Sequence, residues 1–290
     1  MTVYIILIIS GIVLGGFLVL GKRKLITWKS DLRMPDREFP YQWRAILEKR
    51  IEFYQRLSRG EKRLFEKKLH IFLLNVRIVG IKTEVTHEDR ILVAAGAIIP
   101  VFRFKDWHYK CLKEVSLFPD KFRIPRTEQY ANGLVGFGAM EGKMYLSRKA
   151  LHQGFNDPHD GKNLAIHEFI HILDKQDGAV DGVLQNIVGE ADVMPWLYIM
   201  KQTIERDDKN ILRAYGFSNN QEFLAVVSEY FFEKPDELKR EYPTIYNALD
   251  SFFNPPKELM EKFKFTSEYD SCPCGSGRHF GKCCAKNSSF

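Results

Sequence analysis

Five residues constrain this chain more than any others: His167-Glu168-Phe169-Ile170-His171, the pattern H-E-x-x-H set in an apolar run. On a helix, positions four apart lie on one face, so the two imidazoles approach a common point one turn apart. Histidines at that spacing clamp a zinc ion, and the intervening Glu168 reaches the same side, where it can take a proton from an attacking water. Leu164, Ile166, Phe169, Ile170, Ile172 and Leu173 give the segment the apolar surface of a buried helix, and Asp177-Gly178 supplies a turn signal after it. The plainer alternative is a solvated pair of histidines.

With 290 residues, 45% hydrophobic and 28% charged, the chain can bury a real core, and one medium domain with small appendages is expected. Residues 3–20 carry no charge. A helix of that length rises about 27 Å, close to the hydrocarbon thickness of a bilayer, which predicts a transmembrane anchor over residues 1–22. The start, Met1-Thr2, lacks the basic residue of a signal peptide, and the run ends in Gly21-Lys22-Arg23-Lys24 rather than at a small-residue cleavage site, so the anchor is expected to stay uncleaved. Lys22, Arg23, Lys24, Lys29 and Arg33 follow it, making residues 23–40 a basic juxtamembrane linker. The positive-inside rule then predicts a single-pass membrane protein with its catalytic domain in the cytoplasm. The spacing of Gly11 and Gly15, G-x-x-x-G, is a weak signal for pairing of two anchors. Attraction to anionic lipid accounts for much of the net charge of +6, and no nucleic-acid partner is expected, because no basic face interleaved with aromatics is visible.

Beyond the prolines at 35 and 40, a helix is expected from Trp43 to Leu57. Ser58-Arg59-Gly60-Glu61 has the S-x-x-E form of a capping box, predicting a second helix from Glu61 to Val76. The apolar stretch from Ile91 to Phe104 fits a buried helix or a central strand, and its alanines favour the helix. Short strands are expected at Glu114 to Leu117, Lys121 to Ile124 and Lys143 to Ser147, separated by prolines and glycines. The last of these is the candidate edge strand of a substrate cleft. His70, His87, His108, His152 and His159 have no partner at ligand spacing.

A catalytic zinc takes three protein ligands and keeps a fourth position for water. The third ligand has two sources in the sequence. Asp177 follows His171 at the spacing of H-E-x-x-H-x-x-G-x-x-D, except that Asp174 stands where that pattern has glycine. Alternatively, the apolar segment from Gln221 to Phe232 carries Glu222 and Glu229 seven residues apart on one helical face. Spacing does not choose between those two, and Glu222 also has a plain role as a helix N3 residue after Asn219.

The blocks Trp43-Arg44-Ala45-Ile46-Leu47, His167 to Asp174, Ala214-Tyr215 and Glu222 to Phe232 resemble the Mlc titration factor A family of zinc peptidases. The last block is also similar to the catalytic domain of anthrax lethal factor, where a tyrosine precedes the glutamate ligand by seven residues, as Tyr215 precedes Glu222. The resemblance implies an α+β, zincin-like metallopeptidase domain over residues 41–265. It implies His167, His171 and Glu222 on the catalytic zinc, Glu168 as general base, Tyr215 near the oxyanion, and Glu229 and Asp174 behind the ligands, orienting them. A peptide or protein substrate follows from that reading. The alternative function is a non-catalytic, membrane-tethered binding protein that sequesters a regulator or docks a partner.

Cys272, Cys274, Cys283 and Cys284 put four of the five cysteines within thirteen residues, a density suited to a structural zinc site; two disulfides are the alternative. Residues 270–290 resemble the SEC-C zinc-binding motif of the bacterial translocation ATPase. That resemblance implies a second zinc and, by analogy, a protein partner at the tail.

Overall fold

The computed structural model describes residues 32–104, 107, 109, 111–136, 138–175, 180–184, 190–205, 212 and 214–255. The expected anchor over 1–22, most of the linker, Asp177 and the tail cysteines lie outside the described residues.

Helix α1 (Tyr41–Arg50) and the single turn α2 (Glu52–Gln55) occupy the first expected helix, which breaks at Ile51 because that residue is extended, with φ −115°. Helix α3 (Arg59–Asn75) starts at the expected capping box: Glu61 N donates to Ser58 Oγ and Ser58 N donates to Glu61 Oε2 at 3.0 Å. Strand β1 (Arg77–Gly80) follows, then helix α4 (His87–Ile98). A second capping box, between Thr86 and Asp89, opens α4, and its alanines do favour helix over strand.

Strands β2 (Glu114–Phe118), β3 (Phe122–Arg123), β4 (Tyr130–Ala131), β5 (Gly133–Val135) and β6 (Lys143–Ser147) come next. Three of them join β1 in one sheet of order β1-β2-β6-β5, and β3 and β4 form a separate antiparallel pair. β1, β2 and β6 are parallel, while β5 runs antiparallel to β6 with Gly133 opposite Leu146. This corrects the expectation for Lys143–Ser147, which is an interior strand. The edge on that side is Gly133–Val135, three residues beginning with glycine, too short for an alternating pattern to show.

Helix α5 (Arg148–Asn156) leads to α6 (Leu164–Asp174), which carries the H-E-x-x-H pattern. Then come α7 (Glu190–Glu205), a 3-10 turn (Ala214–Phe217), α8 (Asn220–Glu233), α9 (Pro235–Glu241) and α10 (Pro243–Phe253). α6 lies at the centre, packed on α4, α5, α8 and the strands β5 and β6. Gly96 makes the α4 contact possible, because a Cβ there would sit 3.2 Å from Cα of Ala165 and closer still to its Cβ. Phe169 meets Phe72 edge-on and Tyr109 at a tilt, with ring centroids 5.7 and 5.0 Å apart, anchoring the apolar side of α6 in the core. The architecture is a mixed α+β fold of the kind that a metallopeptidase domain adopts.

No helix among the described residues is long and apolar enough to cross a membrane. The longest, α3, has 17 residues and is studded with charge. The single-pass membrane placement, with its cytoplasmic catalytic domain, is corrected accordingly. Residues 3–20, on which it rested, lie outside the described residues.

Candidate metal centre

Asn163 starts α6 as its N-cap, Oδ1 accepting from Ile166 N at 3.2 Å, and the helical period then puts His167 and His171 on one face. Their Nε2 atoms are 3.1 Å apart. Asn219 caps α8 in the same way, accepting from Glu222 N at 2.9 Å. The carboxylate of Glu222 comes over the pair, with Oε2 3.1 Å from His167 Nε2 and Oε1 3.5 Å from His171 Nε2.

Among the described residues, His167, His171 and Glu222 are the group whose donor atoms converge closely enough to hold a metal ion. Tetrahedral zinc with ligands near 2.05 Å separates them by about 3.3 Å, and the observed spacings bracket that figure. Oε2 of Glu222 is buried without a well-formed hydrogen bond, as expected of an atom directed at an ion rather than at an N–H. The donor set therefore fits a divalent cation of zinc's size.

The surrounding charges favour a cation as well. Burial opposes the imidazolium form of His167, but Glu229, then Glu222, outweigh it and hold the ring up to about 10. Bound metal would satisfy the same field in place of that proton. Burial tends to keep Glu222 protonated, and the two histidines reverse this, pushing its pKa below the usual carboxylate range.

Glu168 sits on the same helix, 6% exposed, and burial raises its pKa against the pull of His171 and His167. A carboxylate moved upward in this way is better matched to accepting a proton near neutral pH. The edge strand β5 passes directly over it. A Cβ at Gly133 would lie 2.5 Å from Cδ of Glu168 and nearer still to Oε1, so any side chain there would force the Glu168 carboxylate to shift. Lys175, buried just past the end of α6, ties down the residue that follows this strand by donating to Gly136 O at 2.9 Å.

The other expected residues fall in two groups. Glu229 stands behind His167, Oε1 being 2.8 Å from Nδ1, while Oε2 accepts Asn163 N at 2.6 Å. Asp174 is fully buried, and its Oδ1 accepts Gly182 N and Val183 N, each at 3.0 Å, holding the following loop against the helix end. Tyr215 belongs to the 3-10 turn that packs on α8, and its side chain lies outside the described residues, as do Asp177 and Cys272, Cys274, Cys283 and Cys284. Asn163, Gly133 and Glu233 carry no sequence signal of their importance, since each matters through a partner remote in sequence. The capping residues Thr86 and Asp89 were not singled out in the sequence, nor was the link from Asp89 to His152, whose Nε2 lies 2.6 Å from Asp89 Oδ1.

A family model described as glucose-regulated metallo-peptidase M90 matches residues 25–254. The chain belongs to this family. The uncharacterized protein slr2042 of Synechocystis sp. is 28% identical over 245 residues, 79% of this chain and 88% of its own length. Mlc titration factor A of Yersinia enterocolitica is 26% identical over 260 residues, covering 79% of this chain and 91% of that one. Its counterpart in Yersinia pestis is 24% identical, with 79% and 90% covered. A second model, the SEC-C motif, matches residues 270–286, beyond the M90 region.

Proposed function

We propose that this M90 chain is a zinc-dependent peptidase whose ligands are His167, His171 and Glu222. Zinc, when bound, supplies Lewis acidity toward water and the scissile carbonyl. Glu168 takes the proton of the attacking water and passes it to the leaving amine. Tyr215, placed before Glu222 as in the anthrax lethal factor domain, donates to the oxygen that gains charge. Glu229 fixes the His167 tautomer by accepting from Nδ1, leaving Nε2 free to ligate. The edge strand Gly133–Val135 takes the cleft-lining role expected earlier of Lys143–Ser147, offering backbone groups to an extended substrate. Residues 41–265 form the peptidase domain. In the tail, Cys272, Cys274, Cys283 and Cys284 hold a second, structural zinc, and the SEC-C motif docks a protein partner.

The observation that carries this reading is the buried Glu168 with its raised pKa beside a converging His-His-Glu set. Metal retention alone has no need of that carboxylate. Glu168→Gln should keep zinc and lose peptide hydrolysis at least about a hundredfold. Hydrolysis at the wild-type rate would refute the assignment.

A second reading is a metal-holding binding protein that acts by sequestering a regulator. It is favoured by the name of the Yersinia relatives, Mlc titration factor A. Under it, Glu168→Gln would leave the biological effect intact, and binding of a regulator to the purified chain would persist without peptide hydrolysis.

A further inference from the structure

The two residues entering α6 end on two successive carboxylates of α8. Glu233, one turn beyond Glu229, accepts Lys162 N on Oε2 at 2.9 Å and Asn163 Nδ2 on Oε1 at 3.1 Å. Glu229 accepts Asn163 N on Oε2 at 2.6 Å and meets His167 Nδ1 with Oε1 at 2.8 Å. Asn163 also donates to Gly154 O at 3.2 Å and caps α6 through Ile166 N at 3.2 Å. Asn163, His167, Glu229 and Glu233 are all buried.

Holding two acids one turn apart in such a place is unfavourable. Burial, with Glu229 and Asp160 adding to it, pushes Glu233 up to about 8 despite the donors from Asn163 and Lys162. A neutral or apolar residue would pack against α5 and α6 without that penalty. What the side chain provides is two oxygens at once, one facing each of two adjacent residues at the helix entrance. Asn163 cannot shift without moving the Glu229 oxygen that its N–H holds, and the other Glu229 oxygen faces His167.

We propose that Glu233 is a positioning residue for the metal centre: through Asn163 it fixes Glu229 on His167, and so aims Nε2 of His167 at the point shared with His171 and Glu222. The inference rests on the reading of those three residues as the metal site.

The test uses the full chain carrying Cys283→Ser and Cys284→Ser, so that tail metal does not interfere. Zn2+ affinity is measured by chelator competition, and the Co2+ form by its visible absorption, for Glu233→Ala, Glu233→Gln, Glu229→Gln and the Glu229→Gln double variants. Glu233→Ala should weaken zinc binding about 10-fold to 100-fold and shift the Co2+ bands. Glu233→Gln, which retains one acceptor oxygen, should recover part of the loss. The double variant Glu229→Gln with Glu233→Ala should bind zinc within about threefold of the weaker single variant, because both act on one chain of contacts.

Zinc affinity and Co2+ spectrum unchanged in Glu233→Ala, or losses that multiply in the double variant, would overturn the proposal. If Glu233→Ala fails to fold, the Glu233→Gln pair of measurements decides by the same criteria. A background protein that binds neither zinc nor cobalt at His167 would refute the site reading itself, and that outcome is distinct from a loaded site indifferent to Glu233.

Discussion

Nδ1 of His167 and Oε1 of Glu229 lie 2.8 Å apart, joining α6 to α8 at the one imidazole that also faces His171 and Glu222. Through this contact, a carboxylate that is not itself among the converging donors controls which ring nitrogen is free. The same α8 supplies Glu222 seven residues earlier, so a shift of α8 along its axis would displace a donor and its support together.

Replacing the candidate donors separates direct from indirect roles. Glu222→Ala should empty the site, because two histidines and water hold zinc far more weakly than three protein ligands, whereas Asp177→Ala should leave it loaded. Glu229→Ala should fall between them, about 10-fold to 100-fold weaker than wild type. Metal content after dialysis against a weak chelator reads all three. Loss of metal in Asp177→Ala with retention in Glu222→Ala would reverse the assignment.

Gly133→Ala should reduce hydrolysis by at least about tenfold while zinc content stays the same, because the added Cβ collides with Glu168 and not with the donors. Thermal unfolding should also move down, by an amount corresponding to about 1–3 kcal/mol of overpacking. Unchanged turnover would mean that the edge strand yields at no cost.

Asp89 gives the pH dependence a definite sign. Burial works against its charge, but His152, Thr86 and Arg148 outweigh it and depress the pKa below the ordinary 3.8. A group with a depressed folded pKa stabilises the protein fully above its unfolded value, and that stability drains away as pH falls through the folded one. Asp89→Asn should therefore destabilise by about 3 kcal/mol at pH 7, since a buried pair loses one partner. The gap between variant and wild type should close progressively below about pH 4, as followed by thermal unfolding across a pH series. A gap that stays constant down to pH 2 would show that the contact is one of shape alone.

Zinc content should also report the tail. The full chain is expected to carry two zinc ions, and Cys283→Ser with Cys284→Ser should leave one, with peptide hydrolysis largely retained. A single zinc in the unaltered chain, with the four tail cysteines in disulfides, would remove the second site.

The chain by itself determined the metal helix, because H-E-x-x-H needs only the helical period to bring His167, Glu168 and His171 to one side, and the S-x-x-E box before α3 is equally local. Strand β6 was legible as a short segment set off by the glycines before it, but its place in the sheet was not, since the three residues of β5 beside it are too few to leave a period. Spacing along α8 left Glu222 and Glu229 equivalent. Only the packing of α8 across α6 put one carboxylate over the two Nε2 atoms and the other behind Nδ1. Asn163, Glu233 and Gly133 were decided entirely by tertiary structure, because a buried acceptor, or a missing Cβ, acquires its role from the atom placed opposite it by a segment distant in sequence.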